Sequence, residues 1–447
     1  MKKILLVIGF LITSQSYSQY VEGVVLDAKT HEPIENVSVY MDEIDRGTTT
    51  NVKGFFYLTF PAEIVKSGTV LFSHVKYKEL KVSFFSKKKN YKVFLVEDVT
   101  NLREIQISRT LKKNIDYKEL SSMKVGRCFF GAQLVNNKIY AVGGNSSSGV
   151  NGMKKALDLY PDITDFRELL KKVKPNYSKT SFRNDMLIYN IETDKWEKKK
   201  EVEFRKRGFH SLNYYDNKLY ILGGKRLSKN GKIEYLDDKI EVYNIKNDSI
   251  LVDDTNPHQA VNFASFSIDK KLVFIGGSIE ENKSGIKKYM SKVHSFDIET
   301  GLWYEIGNMP IPKETNGVVV DNKIYLIGGY NKKPLRTIET FDLKTGKWDQ
   351  VGELNFNFNS EGVTSNKEII FLYDNGKIST FNTKDNKLKT YNINLKVKSA
   401  KLFYSNNKLY ILGGYVENEY SIYPSRRFYS VDVNEFQITR VITSKVL

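Results

Sequence analysis

A strand that ends in two glycines recurs along most of this chain, and no other feature limits its fold as much. It appears at 138–144 with Gly143 and Gly144, at 218–224 with Gly223 and Gly224, and at 271–277 with Gly276 and Gly277. It returns at 323–329 with Gly328 and Gly329 and at 408–414 with Gly413 and Gly414, while 369–374 is a degenerate copy without glycines. A second unit of eight residues follows each copy, at 189–196, 243–250, 296–303, 341–348, 381–388 and 431–438. Its second residue is always Asp or Asn and its last is apolar: Trp196, Ile250, Trp303, Trp348, Leu388 and Ile438. A long chain with one motif repeated at such intervals reads as an array of supersecondary units that bury their faces only by stacking. Six matched pairs predict six such units.

The glycine pairs and the tryptophan positions together resemble Kelch repeats. That resemblance implies a six-bladed β-propeller over 123–447, each blade a four-stranded antiparallel sheet with the glycine pair closing the second strand and the Trp slot in the outermost one. The glycines let neighbouring backbones approach, and the Trp slot packs between blades. Blade one is expected to begin near Arg127 and blade six to end near Val441. Each blade is then one contiguous stretch, closed by packing of blade one on blade six; a strand at 102–107 completing a blade edge is the alternative. With Tyr373 standing in for the degenerate copy, the first glycines of successive copies are 80, 53, 52, 45 and 40 residues apart, and the first interval holds no second glycine pair. Ile163, Phe166, Leu169, Leu170 and Val173 are spaced as one helical face with Thr164 as N-cap, so 145–182 reads as a helical insertion between strands two and three of blade one.

Residues 19–108 alternate short β-rich runs with turns. Val37, Ser38, Val39 and Tyr40 have the period of a half-buried strand, and Asn51 to Gly54 supply a turn in which Gly54 adopts positive φ cheaply. Gly23, Asp27, Thr30, Pro33, Ile34, Gly47, Thr48, Thr50, Gly54, Phe55 and Leu58, followed by 73–77, resemble the carboxypeptidase regulatory-like domain, which implies a small transthyretin-like β-sandwich with an accessory role. Peptidase activity does not follow, because no histidine has Glu three residues later to start a zinc site. His31 and His74 are turn or strand residues. Residues 109–122 are polar and charged and read as a linker. The fold class is therefore all-β, a small sandwich followed by a six-bladed propeller.

The first 18 residues are expected to direct export. Lys2 and Lys3 precede an apolar run at 4–12, and Ser16 and Ser18 are the small residues a signal peptidase requires. The run is too short to span a bilayer, and the lone cysteine, Cys128, is far from the cleavage site. A periplasmic, outer-membrane-associated or extracellular protein is expected, without a transmembrane segment. One cysteine allows no internal disulfide. The net charge of +17 favours anionic surfaces, yet only 13 of the 69 basic residues are Arg and they are scattered. A lysine-biased background explains that, and no concentrated basic face with stacking aromatics points to nucleic acid.

Two enzyme families with this architecture provide tests. Galactose oxidase resembles it and implies a copper site with a Cys–Tyr crosslink; Cys128 falls where that cysteine is expected, but the tyrosine position is Phe209, and clustered histidines are absent. No cofactor and no metal are expected. The six-bladed sialic-acid mutarotase or epimerase type implies a proton donor and acceptor in a polar channel mouth. Arg127, Arg207, His210, Glu314 and Glu361 border the channel, with Glu314, Arg207 and His210 the catalytic candidates. Arg127 and Arg207, each sixteen residues before its glycine pair, equally suit a structural repeat position, and His210 a satisfied strand residue. A binding module is the expectation, because propellers present a rigid ring of loops, here 225–237, 278–290, 330–336 and 415–427. Tyr415, Tyr420, Tyr423, Arg426 and Arg427 in the last loop suit stacking on a sugar or a peptide, and suit packing on blade one equally. The partner is then a glycan or a protein.

Overall fold

A computed structural model describes residues 18–41, 46–61, 67–85, 90–98, 111–173, 181–231, 233–281, 286–359 and 361–447. Of the expected leader at 1–18 all but Ser18, and the alternative edge strand at 102–107, lie outside the described residues. The chain forms two compact units, 1–108 and 109–447.

In the first unit Ser18–Asp27 is central in a three-stranded sheet, antiparallel to Phe55–Pro61 and parallel to Tyr91–Leu95. A four-stranded sheet, in the order Arg46–Thr49, Ser38–Met41, Ser67–His74, Tyr77–Phe85, supplies the other layer. Alternate residues point between them: Val21, Val25, Val39, Phe56, Leu58 and Phe72 are buried in one cluster. The Thr50 hydroxyl, itself buried, donates to the Ile34 carbonyl at 2.7 Å and accepts from the Val37 amide at 2.9 Å. Gly23 has no room for a side chain, since a Cβ there would lie 2.2 Å from the Tyr91 carbonyl oxygen.

The second unit is a ring of six sheets. Blade one runs outward through Gly131–Val135, Lys138–Val142, Met186–Asn190 and Lys195–Lys198, and blades two to four repeat the pattern. Strands one and two are joined by pairs such as Asn136-Asn137, Asp216-Asn217, Asp321-Asn322 and Asn406-Asn407, all with positive φ, the requirement of a twist-matched two-residue hairpin. The apolar layers lie between blades. Trp196 of blade one meets Phe428 of blade six, Trp303 packs with Tyr220 and Ile240 of blade two, and Trp348 with Phe266 and Ile275 of blade three. The second glycine of four pairs fastens one blade to the next: the Gly144 amide donates to the Arg207 carbonyl at 2.9 Å and that of Gly224 to the Ala260 carbonyl at 2.8 Å, with Gly277 and Gly329 alike. At Gly144, with φ of 91°, a Cβ would come within 2.6 Å of the Phe130 Cβ.

A buried pair recurs inside the blades. Arg127 reaches Asp185 at 3.4 Å in blade one and Arg207 reaches Glu241 at 2.7 Å in blade two. Lys313 contacts Glu339 in blade four. Blade three replaces the ion pair with two histidines, the Nδ1 atoms of His258 and His294 lying 2.8 Å apart.

Ring closure differs from the sequence expectation. Residues 111–122 are not a linker: Lys118–Leu120 is the outermost strand of blade six, antiparallel to Phe428–Asp432. Blade six is therefore assembled from both ends of the propeller and is not contiguous. The reason lies in the eight-residue unit. Its sixth residue takes positive φ in five blades, as Asp194, Asp248, Gly301, Gly346 and Asn386. In blade six that residue is Phe436, for which the left-handed conformation is costly. The chain instead forms the short helix Glu435–Ile438, and the Phe436 ring packs on Tyr391 at 5.1 Å and Phe371 at 5.8 Å. Blade five gains two further strands, Asn114–Ile115 and, beyond the expected end near Val441, Thr443–Val446.

The insertion in blade one contains two helices, Gly152–Leu159 and Phe166–Lys172. Asp165, not Thr164, caps the second, its carboxylate accepting from the Arg167 amide at 2.8 Å. Leu169 is buried, while Phe166 and Leu170 are exposed, so the expected single apolar face is only partly covered. Among the described residues no helix is long and apolar enough to cross a membrane.

Candidate functional site

Antiparallel order puts the tight turns at one end of the ring and the connections between strands two and three at the other, beside the segments entering each innermost strand. The four loops expected at that end are hairpins, for example Lys225–Leu227 with Glu234–Leu236 and Tyr415–Glu417 with Ser421–Pro424. In blade five the connection shrinks to Asn375-Gly376, both at positive φ, so the wall is low there. Each entering segment is tied to its hairpin by a bridge: Gly208 with Lys225, Val261 with Ser278, Glu314 with Tyr330 and Lys398 with Tyr415. Backbone bonds then run around the rim, from the Phe209 amide to the Phe129 carbonyl at 2.7 Å and from the Thr315 amide to the Asn262 carbonyl at 3.0 Å.

This rim encloses a mouth of about 760 Å³, which continues into a polar central channel of about 430 Å³. Phe129, Phe209, Asn262, Glu361 and Thr315 line both. Phe129 and Phe209 stack with ring centroids 4.3 Å apart and planes at 17°, and Tyr415 lies 5.9 Å from Phe129. Both phenylalanines have positive φ, 53° and 63°. For a bulky side chain that conformation costs about 1–3 kcal/mol and persists only where its surroundings impose it. The result is a stacked aromatic pair, one face of each ring against the other, set into the wall of a concave site.

Opposite it, two carboxylates are each held by a lysine. Glu314 Oε1 accepts from Lys287 Nζ at 2.7 Å and from the Ser278 hydroxyl at 2.6 Å. Glu361 Oε2 accepts from Lys401 Nζ at 2.6 Å. Lys287 also lies over the Tyr330 ring at 5.4 Å. The charged residues lining the mouth are Lys287, Lys332, Glu314 and Glu361, which cancel although the chain carries +17. Carboxylates accept and ammonium groups donate, so a ligand rich in hydroxyls finds both kinds of partner here. Among the described residues no group of three or more His, Cys, Asp or Glu could hold a metal ion.

The residues expected from sequence separate into two sets. Glu314, Glu361 and Tyr415 line the mouth. Arg127 and Arg207 do not: they are 1% and 0% exposed, and each donates from Nη1 to the first carbonyl of its glycine pair, Gly143 and Gly223. Their even spacing from the glycines marks this structural repeat. His210 is buried between blades one and two, its Nε2 accepting from the Gly131 amide at 3.1 Å, and burial holds its pKa well below the ordinary value. Cys128 is buried, and its thiol is pushed up to about 12 by that burial. Of the last loop only Tyr415 faces the mouth. Ser421–Pro424 pairs with Gly149–Val150 of the blade-one insertion, Lys154 lies 5.7 Å over Tyr420, and Arg427 approaches Glu119 at 3.8 Å. Tyr423 is exposed on that three-stranded sheet, and the Arg426 carbonyl accepts from the Met123 amide at 2.9 Å. Sequence reasoning singled out the loops holding Lys287, Tyr289 and Tyr330 but not those residues, and it missed Lys401 and Phe129 as site residues.

Two family matches agree with this architecture. Residues 175–356 match the family described as the KLHDC2/KLHL20/DRC7 Kelch-repeats domain, and residues 21–107 match the CarboxypepD_reg-like domain. No curated protein is similar to the chain at a significant level. Among solved structures, one titled "Structure of YjhT" is similar at 15% identity with a TM-score of 0.49, covering 68% of this chain and 96% of that one. A Kelch propeller fits a binding or interaction role. The chain thus joins a carboxypeptidase regulatory-like domain to a Kelch-type β-propeller.

Proposed function

We propose that this protein is exported to the cell envelope and binds a carbohydrate in the mouth of its propeller. The observation that carries the proposal is the stacked Phe129–Phe209 platform facing Glu314 and Glu361 across one cavity. Sugar rings offer an apolar face and an edge of hydroxyls, and a site built for them needs an aromatic plane and convergent donors and acceptors. Export is supported by the basic and apolar leader at 1–18 and its small residues before the expected cleavage point. A glycan array followed by calorimetric titration tests the binding. Phe209→Ala is expected to weaken the best array ligand roughly tenfold or more, with the propeller still folded. An array without signal, together with peptides that bind the mouth, refutes the carbohydrate reading in favour of a protein partner.

A second reading, ring-opening catalysis of the mutarotase type, draws on one feature: Glu314 and Glu361 both border the mouth, each beside a lysine that can exchange a proton. Arg207 and His210 have no part in it, being buried inside and between blades. Anomer interconversion followed by NMR separates the readings. A sugar that binds without faster interconversion supports a binding protein, whereas a rate abolished by Glu314→Gln supports the enzyme.

A further inference from the structure

A second cavity adjoins the mouth. It measures about 930 Å³ and lies between the blade-two hairpin and blade three, lined by Phe209, Lys225, Arg226, Tyr235, Asp238 and Gln259 among others. Phe209 belongs to this groove and to the mouth, so one aromatic ring borders both. Each is within the size range of a complete small-molecule site.

The groove repeats the chemistry of the mouth. Arg226 lies over the Tyr235 ring at 5.2 Å, which fixes an amphipathic surface on the hairpin. The buried Nε of Arg226 has no hydrogen-bond partner, and Asp238 Oδ1, not hydrogen-bonded, is ion-paired with Arg205 Nη2 at 3.7 Å. A buried donor left without a partner beside a carboxylate calls for a ligand that supplies an acceptor. The charged residues here are Lys225, Arg226, Glu234 and Asp238, and Lys225 is paired with Glu234 at 3.1 Å. They cancel, as in the mouth. Counted by their lining residues, neither cavity shares the chain's charge of +17.

We infer that the ligand is a neutral oligosaccharide bound across two subsites, one in the mouth and one in the groove, with Phe209 as the shared platform. This rests on the carbohydrate reading above and adds chain length and charge to it. One sugar unit occupies the mouth; the chain passes over Phe209, and the next units lie against Tyr235, where hydroxyls donate to Asp238 and accept from Arg226. Linking two contacts in one ligand turns the second into an intramolecular event, so affinity rises with length until both subsites are filled.

The test titrates the full-length protein with neutral glucose and N-acetylglucosamine oligomers of one to six units, and with glucuronic-acid oligomers of matching length. Binding is expected to tighten roughly tenfold or more from one unit to three and then level off. Arg226→Ala and Tyr235→Ala, both on the hairpin surface, are expected to bring long oligomers down to monosaccharide affinity while changing the monosaccharide less than about twofold. Phe209→Ala weakens both. Equal affinity for one unit and three, or hairpin variants that weaken both alike, overturns the second subsite and leaves the carbohydrate reading standing. Binding confined to the acidic series overturns the neutral assignment. Absence of binding to any sugar removes the carbohydrate reading itself.

Discussion

If residues 111–122 close the ring, their buried side chains hold the propeller together, and Ile115 measures how much. Ile115 is 1% exposed, packs in the layer between blades five and six with Tyr391, Ile393 and Tyr429, and sits on a strand paired in parallel with Lys387–Ile393. Ile115→Ala removes three carbons from a filled layer whose neighbours are backbone-fixed strands. The loss combines transfer and cavity terms, about 2–5 kcal/mol. A central value of about 3 kcal/mol corresponds to a fall in Tm of roughly 5 °C, since one kcal/mol shifts domains of 150–250 residues by about 2–4 °C and longer chains by less. Leu111, four residues earlier and 47% exposed, is the control, with Leu111→Ala expected within about 0.5 kcal/mol of wild type. Scanning calorimetry on the full chain reads both. A linker tolerates the two substitutions equally, so an unchanged propeller transition in Ile115→Ala refutes closure by this segment.

Two further outcomes follow from the buried pairs inside the blades. Lys313→Met leaves Glu339 buried and unpaired and is expected to cost about 3–5 kcal/mol, whereas Lys313→Met with Glu339→Leu restores most of that stability; chemical denaturation of both variants decides, and equal losses refute the pairing. Burial pushes the pKa of His258 down to about 3 and, with less burial, lowers that of His294, whose Nε2 is 4.0 Å from Glu305. Both histidines are therefore neutral in the fold while the unfolded chain takes up protons below about pH 6.5, so stability is complete above that pH and falls as pH drops. For His258 alone the fall between pH 7 and pH 5 is about 2 kcal/mol, and His258→Gln, which can still donate to the Gly276 carbonyl, is expected to flatten the acid side of the Tm profile; an unchanged profile refutes the role.

How much of the propeller could be read from sequence depended on whether the determining residue was one of the repeat's own. Glycine pairs and Trp slots are such residues, because each meets the same neighbouring blade in every copy, and they gave the blade number and the strand order within a blade. Closure could not be read from them, since it is a contact between chain ends that the repeat does not contain. It did leave a trace. Five units place Asp, Gly or Asn at the sixth position, residues that accept positive φ, and the sixth unit places Phe436 there. A hairpin missing its turn residue signals an outer strand supplied from elsewhere, and Lys118–Leu120 fills that edge.

The mouth was less accessible to the same reasoning, for a related physical cause. Its residues come one or two from each blade and are far apart in sequence, so only the ring brings Glu314, Glu361 and Tyr415 to one cavity. Position along the entering segment decides what faces ligand. Arg127 and Arg207 precede the innermost strand in the slot that turns inward, where a guanidinium bonds the glycine carbonyl and a strand-three acid. Two residues later Phe129 and Phe209 occupy the slot that turns into the mouth, at the expense of a left-handed backbone. Charge had suggested the arginines, because an exposed arginine is a plausible ligand contact. Geometry favours the phenylalanines, because both line the mouth and the channel while the arginines are buried. A ring that fixes two aromatic planes at its opening before any ligand arrives loses little conformational entropy on binding, which is why the platform, rather than the charged pairs, should set affinity.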